Sequence, residues 1–142
     1  MCSTKSMKMA STIEMSGAEF DTRRVALGLS RAEVAEWCGV QERTVIRWRA
    51  GTLPIAPAAI ERLLHLEDMI AVKVEQLVET VAKRSLAGPI DLVRYRTADE
   101  LNDSVDGDEL PAGAHAIYVA QASDALQAEG IATRIVWADE VG

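Results

Sequence analysis

The sequence has few aromatic residues. One Phe, two Tyr and three Trp make up 4% of the 142 residues, so the core has to be built from Ala, Val, Leu and Ile. Two cysteines (Cys2, Cys38) and two histidines (His65, His115) are the whole stock of thiol and imidazole ligands. The cysteines make no CxxC pair and no disulfide framework, which points to a reduced, cytoplasmic setting. The histidines have no Cys or carboxylate partner at ligand spacing, so no metal site is expected. No apolar run approaches the roughly 20 residues of a membrane span. The stretch MCSTKSMKMASTIEMS has two lysines but no continuous apolar segment, unlike a secretory signal. There is no glycine-rich phosphate loop, and no Ser-His-Asp or Cys-His set can be assembled. Neither a cofactor nor a catalytic residue is therefore expected.

What charge there is lies unevenly. The formal net charge is -7. Residues 1–15 carry two Lys and one Glu, for +1. Residues 16–55 carry six Arg against five acids, again +1, and residues 56–142 carry seven bases against sixteen acids, for -9. The acidic total argues against nonspecific coating of nucleic acid, but it says little about residues 16–55, whose only cations are arginines.

Residues 1–15 are rich in Ser, Thr, Met and Lys without a period. They read as a disordered tail, or as a leader upstream of an alternative start at Met15. Three short helical patterns follow. The first runs from Gly17 to Leu27, with Phe20, Val25 and Leu27 apolar, and ends at Gly28. The second opens with Ser30-Arg-Ala-Glu33, a capping box, carries Val34, Ala35, Trp37 and Cys38, and stops at Gly39. The third begins after Val40 and ends near Ala50-Gly51. Pro57 then suits the first turn of a long helix. Leu63, Leu66, Ile70, Val74, Leu77 and Val81 follow at steps of three or four, with no Gly or Pro up to Leu86. About 30 residues give a helix of roughly 45 Å. Its seam resembles a coiled-coil stripe, which favours pairing with a second copy over packing on its own chain alone.

Gly88-Pro89 breaks that helix. Ile90–Tyr95 reads as a strand, and Thr97-Ala-Asp-Glu100 as a capping box opening a short helix. An acidic loop follows, then an Ala-rich helix from Ala114 to Glu129, and a closing strand from Ile131 to Asp139. Asp103, Asp106, Asp108 and Glu109 lack the spacing of a calcium loop. Two strands alone make a marginal sheet with open edges, a second pointer to dimerisation. The expected fold is mainly α with a small α+β C-terminal unit: a tail (1–15), a helix-turn-helix bundle (16–56), a long helix (57–87) and a βααβ dimerisation unit (88–142).

The chemistry lies in RAEVAEWCGVQERTVIRWRAG. A helix-turn-helix needs a small residue where its helices cross, a residue tolerant of positive φ in the turn, and an apolar lock. Ala35, Gly39, and Val34, Val40, Val45 and Trp48 meet these needs together. Through LSRAEVAEWCGVQERTVIRWRAGTLPIAP, residues 17–66 resemble the Cro/Xre-type helix-turn-helix repressors. The resemblance implies a compact DNA-binding bundle whose third helix enters the major groove. The whole layout also resembles the anti-CRISPR-associated autorepressors. In that group the C-terminal unit dimerises and some members bind RNA.

On the third helix, Val45 and Trp48 should point inward, and Trp48 reads as core rather than a stacking platform. Gln41, Glu42, Arg43, Thr44 and Arg47 should face out. N-terminal residues of such a helix approach base edges. Gln41 suits adenine, Arg43 and Arg47 suit guanine, and Glu42 suits the cytosine amino group. Thr44, Arg49, Thr52 and Arg31 are positioned to meet phosphate, with Arg23 and Arg24 reaching the backbone too. The plainer alternative for Glu42 and Arg49 is exposed ion pairing with each other's turn, worth well under ~1 kcal/mol. The expected function is a repressor that binds double-stranded DNA as a homodimer. An antitoxin whose acidic half neutralises a basic toxin protein is the alternative. A small-molecule sensor or enzyme is disfavoured by the lack of a polar constellation.

Overall fold

The computed structural model describes residues 14–84, 89–104 and 110–141. The expectations for residues 1–13, for the Gly88 break, for Cys2 and for Asp106, Asp108 and Glu109 lie outside them. The described chain is mainly helical, with a two-stranded parallel sheet near the C-terminus. Its contacts divide it into two compact units, Met1–Leu66 and Glu67–Gly142.

In the first unit, local signals set each helix end. Helix α1 is Gly17–Ala26. The Ser16 hydroxyl accepts from the Glu19 amide at 3.0 Å and caps its start, which satisfies one of the donors a helix N-terminus leaves unpaired. Helix α2 is Arg31–Cys38. Its capping box is complete, with Ser30 Oγ and the Glu33 carboxylate each accepting the other residue's amide at 3.0 Å. Gly39, at φ 72°, turns the chain out of α2 in the left-handed region that a side chain disfavours. Helix α3 is Glu42–Ala50, after an extended Gln41. Phe20, Leu27, Leu29, Val34, Ala35, Val45 and Trp48 are buried, as are Ile60 and Leu63 further on. Phe20 meets the Trp48 ring edge to face at 5.4 Å between centroids, the geometry that opposed ring quadrupoles prefer.

Helix α4 is Pro57–Lys83, 27 residues and about 40 Å long. It is shorter than the pattern suggests, and residues 85–88 lie outside the description. Much of its apolar seam packs within the chain itself. Leu63, Leu66, Ile70 and Val81 are buried within this chain. Val74 and Leu77 pack against a cluster of Val81, Leu92, Val119, Ala122 and Leu126. Four of the six seam residues are thus covered within the chain, while Val74 and Leu77 stay half-buried beside that cluster.

In the second unit, β1 is Ile90–Arg94, α5 Ala98–Asn102, α6 Ala112–Ala128 and β2 Thr133–Trp137. The strands pair in parallel, from Ile90 opposite Thr133 to Arg94 opposite Trp137. Parallel neighbours require a long crossover, which α5 and α6 supply. Helix α6 buries Val119, Ala122 and Leu126 with Leu92 of β1. It pins β2 through Ser123 and Thr133, whose hydroxyls lie 2.6 Å apart, with Gln127 Nε2 donating to both at 3.0 Å. The closing strand ends at Trp137, not Asp139. Residues Ala138–Glu140 form a 3-10 turn, held by Arg96 donating to Asp139 at 2.8 Å and pairing with Glu140. Val25, expected in the apolar face of α1, is 59% exposed.

Candidate nucleic-acid interface

Helix α3 has two faces because Val45 and Trp48 lie three residues apart, on one side of a 3.6-residue turn. Both are buried, at 3% and 2% exposure. Trp48 is core, as expected. The N-terminus of α1 presses on the same region. A Cβ built on Gly17 would lie 2.2 Å from the Trp48 carbonyl oxygen, so only glycine lets α1 approach the end of α3 this closely.

The residues expected to face out do so. Gln41, Glu42, Arg43, Arg47 and Arg49 are exposed, and Thr44 is half-buried. Arg43 Nη2 donates to Gln41 Oε1 at 3.3 Å, so these two side chains form one polar cluster at the start of α3. Glu42 lies in the first turn, and Arg47 and Arg49 in the last. Each sign matches the helix macrodipole. That arrangement alone justifies Glu42 as a surface charge. Among the described residues, Glu42, Arg47 and Arg31 make no side-chain hydrogen bond or ion pair. Arg31 is exposed at the first position of α2, away from the α3 face in sequence. Thr52 is exposed and its hydroxyl donates to the Arg47 carbonyl at 3.4 Å, a contact that closes the end of α3.

Two arginines are tied down in ways the sequence did not reveal. Arg49 Nε donates to Asp21 Oδ2 at 3.3 Å, so its partner is on α1 and the ion pairing weighed with the turn of Glu42 does not form. Its side chain is still 58% exposed. Arg24 donates twice to Asp21 Oδ1, at 3.1 and 2.9 Å, and once to the Leu29 carbonyl at 2.7 Å. With 13% of its side chain exposed, Arg24 is a fastener of the α1 C-terminus and not a backbone-reaching cation. Arg23 pairs with Glu19 along α1. Burial pushes the Asp21 carboxyl up. The hydrogen bond and charge of Arg24, and then those of Arg49, outweigh that effect and hold it below its ordinary value. Asp21 thus joins α1 to α3, a link across 28 positions that no local spacing announces.

One residue of the exposed face escaped the sequence reading. Ile46 is 45% exposed between Glu42, Arg43 and Arg47. Its signal was present in the sequence, since helical periodicity puts it off the Val45–Trp48 stripe.

Elsewhere, among the described residues, no three His, Cys, Asp or Glu side chains gather as a metal site, and no helix is long and apolar enough to cross a membrane. His115 is buried beside the Tyr95 and Tyr118 rings. The Trp137 ring has the Arg94 and Arg96 guanidinium carbons 5.0 and 4.6 Å from its centroid. Acids partner Arg96 there, and Arg134 of β2 donates to Asp91 of β1 at 2.9 Å. Compared with models of known families the chain matches none, and compared with curated proteins it matches none.

Proposed function

We propose that the chain is a sequence-specific DNA-binding transcriptional regulator: an autoregulatory repressor that acts as a homodimer on an inverted-repeat operator. In this reading α2 and α3 are a helix-turn-helix of the Cro/Xre type, and α3 enters the major groove. The observation that carries it is the division of α3. Two buried side chains hold the helix, while Gln41, Glu42, Arg43 and Arg47 stand exposed on its outer side. These side chains carry the donor and acceptor sets that major-groove base edges require. Residues 16–55 also keep a positive balance in an acidic chain, which polyanion binding needs. The homodimer rests on the C-terminal sheet. Two strands, each with one neighbour, form a marginal sheet, and a second copy would extend it. RNA is the related ligand to compare, and the chain is read as having no catalytic role.

Selecting bound duplexes from a randomised pool tests the proposal. The expected product is an inverted repeat with half-sites about 10–10.5 bp apart, or a multiple. Arg43→Ala and Arg47→Ala should each weaken binding by ~1–3 kcal/mol, about 5- to 150-fold. No enrichment, or wild-type affinity in both variants, would refute the reading. The excess of acids in residues 56–142 favours one second reading, an antitoxin whose C-terminal half holds a basic protein. Co-purification of a basic protein expressed from an adjacent reading frame would support that one.

A further inference from the structure

The outward side of α3 is two rows and not one field of charge. Side chains four apart lie nearly in line on a helix. Glu42, Ile46 and Ala50 form one row, and Arg43, Arg47 and Gly51 the other. Taking the buried line midway between Val45 and Trp48, the opposite line falls near Arg43 and Ala50. At 100° per residue, Ile46 and Arg47 flank it at about 50° on either side. Ile46 is therefore as well aimed at whatever α3 faces as Arg47 is.

Among the described residues nothing accounts for an isoleucine here. It is 45% exposed, so it does little for the core. Its β-branch lowers helix propensity relative to Arg, Lys or Ala. The same branch restricts χ1, so the side chain offers a stiff apolar surface. Ala50, one turn on, adds no charge and little bulk. In the major groove one base-edge group is apolar, the 5-methyl of thymine.

We propose that Ile46 reads a thymine by packing on its 5-methyl group, beside the base pairs addressed by Arg43 and Arg47. This inference rests on the DNA-binding reading of α3. It divides the helix into an arginine row suited to guanines and a Glu42–Ile46 row suited to pyrimidines, through the cytosine amino group and the thymine methyl. Each half-site then contains an obligatory T·A pair next to the arginine-read positions.

The test uses the full chain and the selected operator duplex. Each thymine in turn is replaced by deoxyuridine, which removes only the methyl group, and affinity is measured by fluorescence anisotropy. One thymine per half-site should lose on the order of 3- to 5-fold for wild type, the scale of one buried methyl. Ile46→Ala should weaken binding to the thymine duplex by a similar factor and make no distinction between thymine and uracil at that position. Ile46→Val should keep part of the preference. Thermal unfolding of Ile46→Ala should match wild type, since the side chain lies outside the core. Unchanged thymine-to-uracil ratios in Ile46→Ala, with Arg43→Ala still defective, would overturn the role of Ile46 and leave the DNA-binding reading standing. Sequence-independent binding, indifferent to Arg43→Ala, would overturn both.

Discussion

Trp37 and Arg62 hold each other from both ends. The indole Nε1 donates to the Arg62 carbonyl at 3.0 Å, and the Arg62 Nε donates to the Trp37 carbonyl at 3.2 Å. The guanidinium carbon lies 4.0 Å from the indole centroid. This reciprocal pair fastens the end of α2 to the start of α4. It also satisfies one of the carbonyls that a helix C-terminus leaves without an intrahelical partner.

Arg62→Ala removes a hydrogen bond to a terminal carbonyl and the stacking on the indole. Together these are worth about 1–2 kcal/mol. Urea denaturation followed by circular dichroism should show that loss. Arg62→Lys should recover little, because an ammonium cannot stack as a plane. A variant as stable as wild type would make the pair incidental.

Gly17→Ala should destabilise, although alanine is the better helix former by up to ~1 kcal/mol. The added methyl meets the Trp48 carbonyl oxygen at 2.2 Å, so α1 must shift off α3. The expected net loss is about 1–3 kcal/mol; if α3 is the DNA-reading helix proposed above, operator binding should weaken with it, because α3 loses its support. Higher thermal stability in this variant would mean that α1 does not dock as described.

Asp21 should make stability depend on acid pH. Its carboxyl is held below the ordinary value by Arg24 and Arg49 against the opposing effect of burial. A lowered folded-state value means that stabilisation is complete above the unfolded carboxylate value and is lost as pH falls through the folded one. The stability gap between wild type and Asp21→Asn should be largest near neutrality and close below about pH 4. A gap independent of pH would assign Asp21 a purely steric part.

Cys38 should be unreactive in the folded chain. Burial pushes its thiol up to about 11, against the pull of Arg62. The folded state therefore keeps the proton longer, and stability falls as pH rises from about 9 to 11. At pH 8, in a Cys2→Ser background, iodoacetamide should modify native Cys38 on the order of 100-fold more slowly than unfolded protein. Equal rates would show the thiol to be open.

How much was legible in the sequence differed by element, for physical reasons. The boundaries of α1, α2 and α3 could be read because Gly28, Ser30, Gly39 and Gly51 act within three or four residues; the Ser16 cap of α1 went unread. The inward pair Val45 and Trp48 could be read because helical period is local. Arg49 was assigned to a polyanion because its partner, Asp21, reaches it only through folding; the pairing of Arg24 with Asp21, three residues away on the same helix, was local and went unread. The α4 seam was read as a surface for a second copy. Periodicity reports that a stripe is apolar, and it carries no information about which atoms cover it.

The sequence by itself determined the helices of the first unit, the two-faced character of α3, the order of strands and helices after Pro89, and the segregation of acid into the C-terminal half. These follow from capping, periodicity and composition, all short-range or additive. Only the tertiary structure decided that β1 and β2 run parallel, that Asp21 links α1 to α3, that Trp37 clasps Arg62 and that Leu63, Leu66, Ile70 and Val81 of the α4 stripe are buried within their own chain. Each of these joins residues distant in sequence, and such contacts are chosen by the packing of the whole unit.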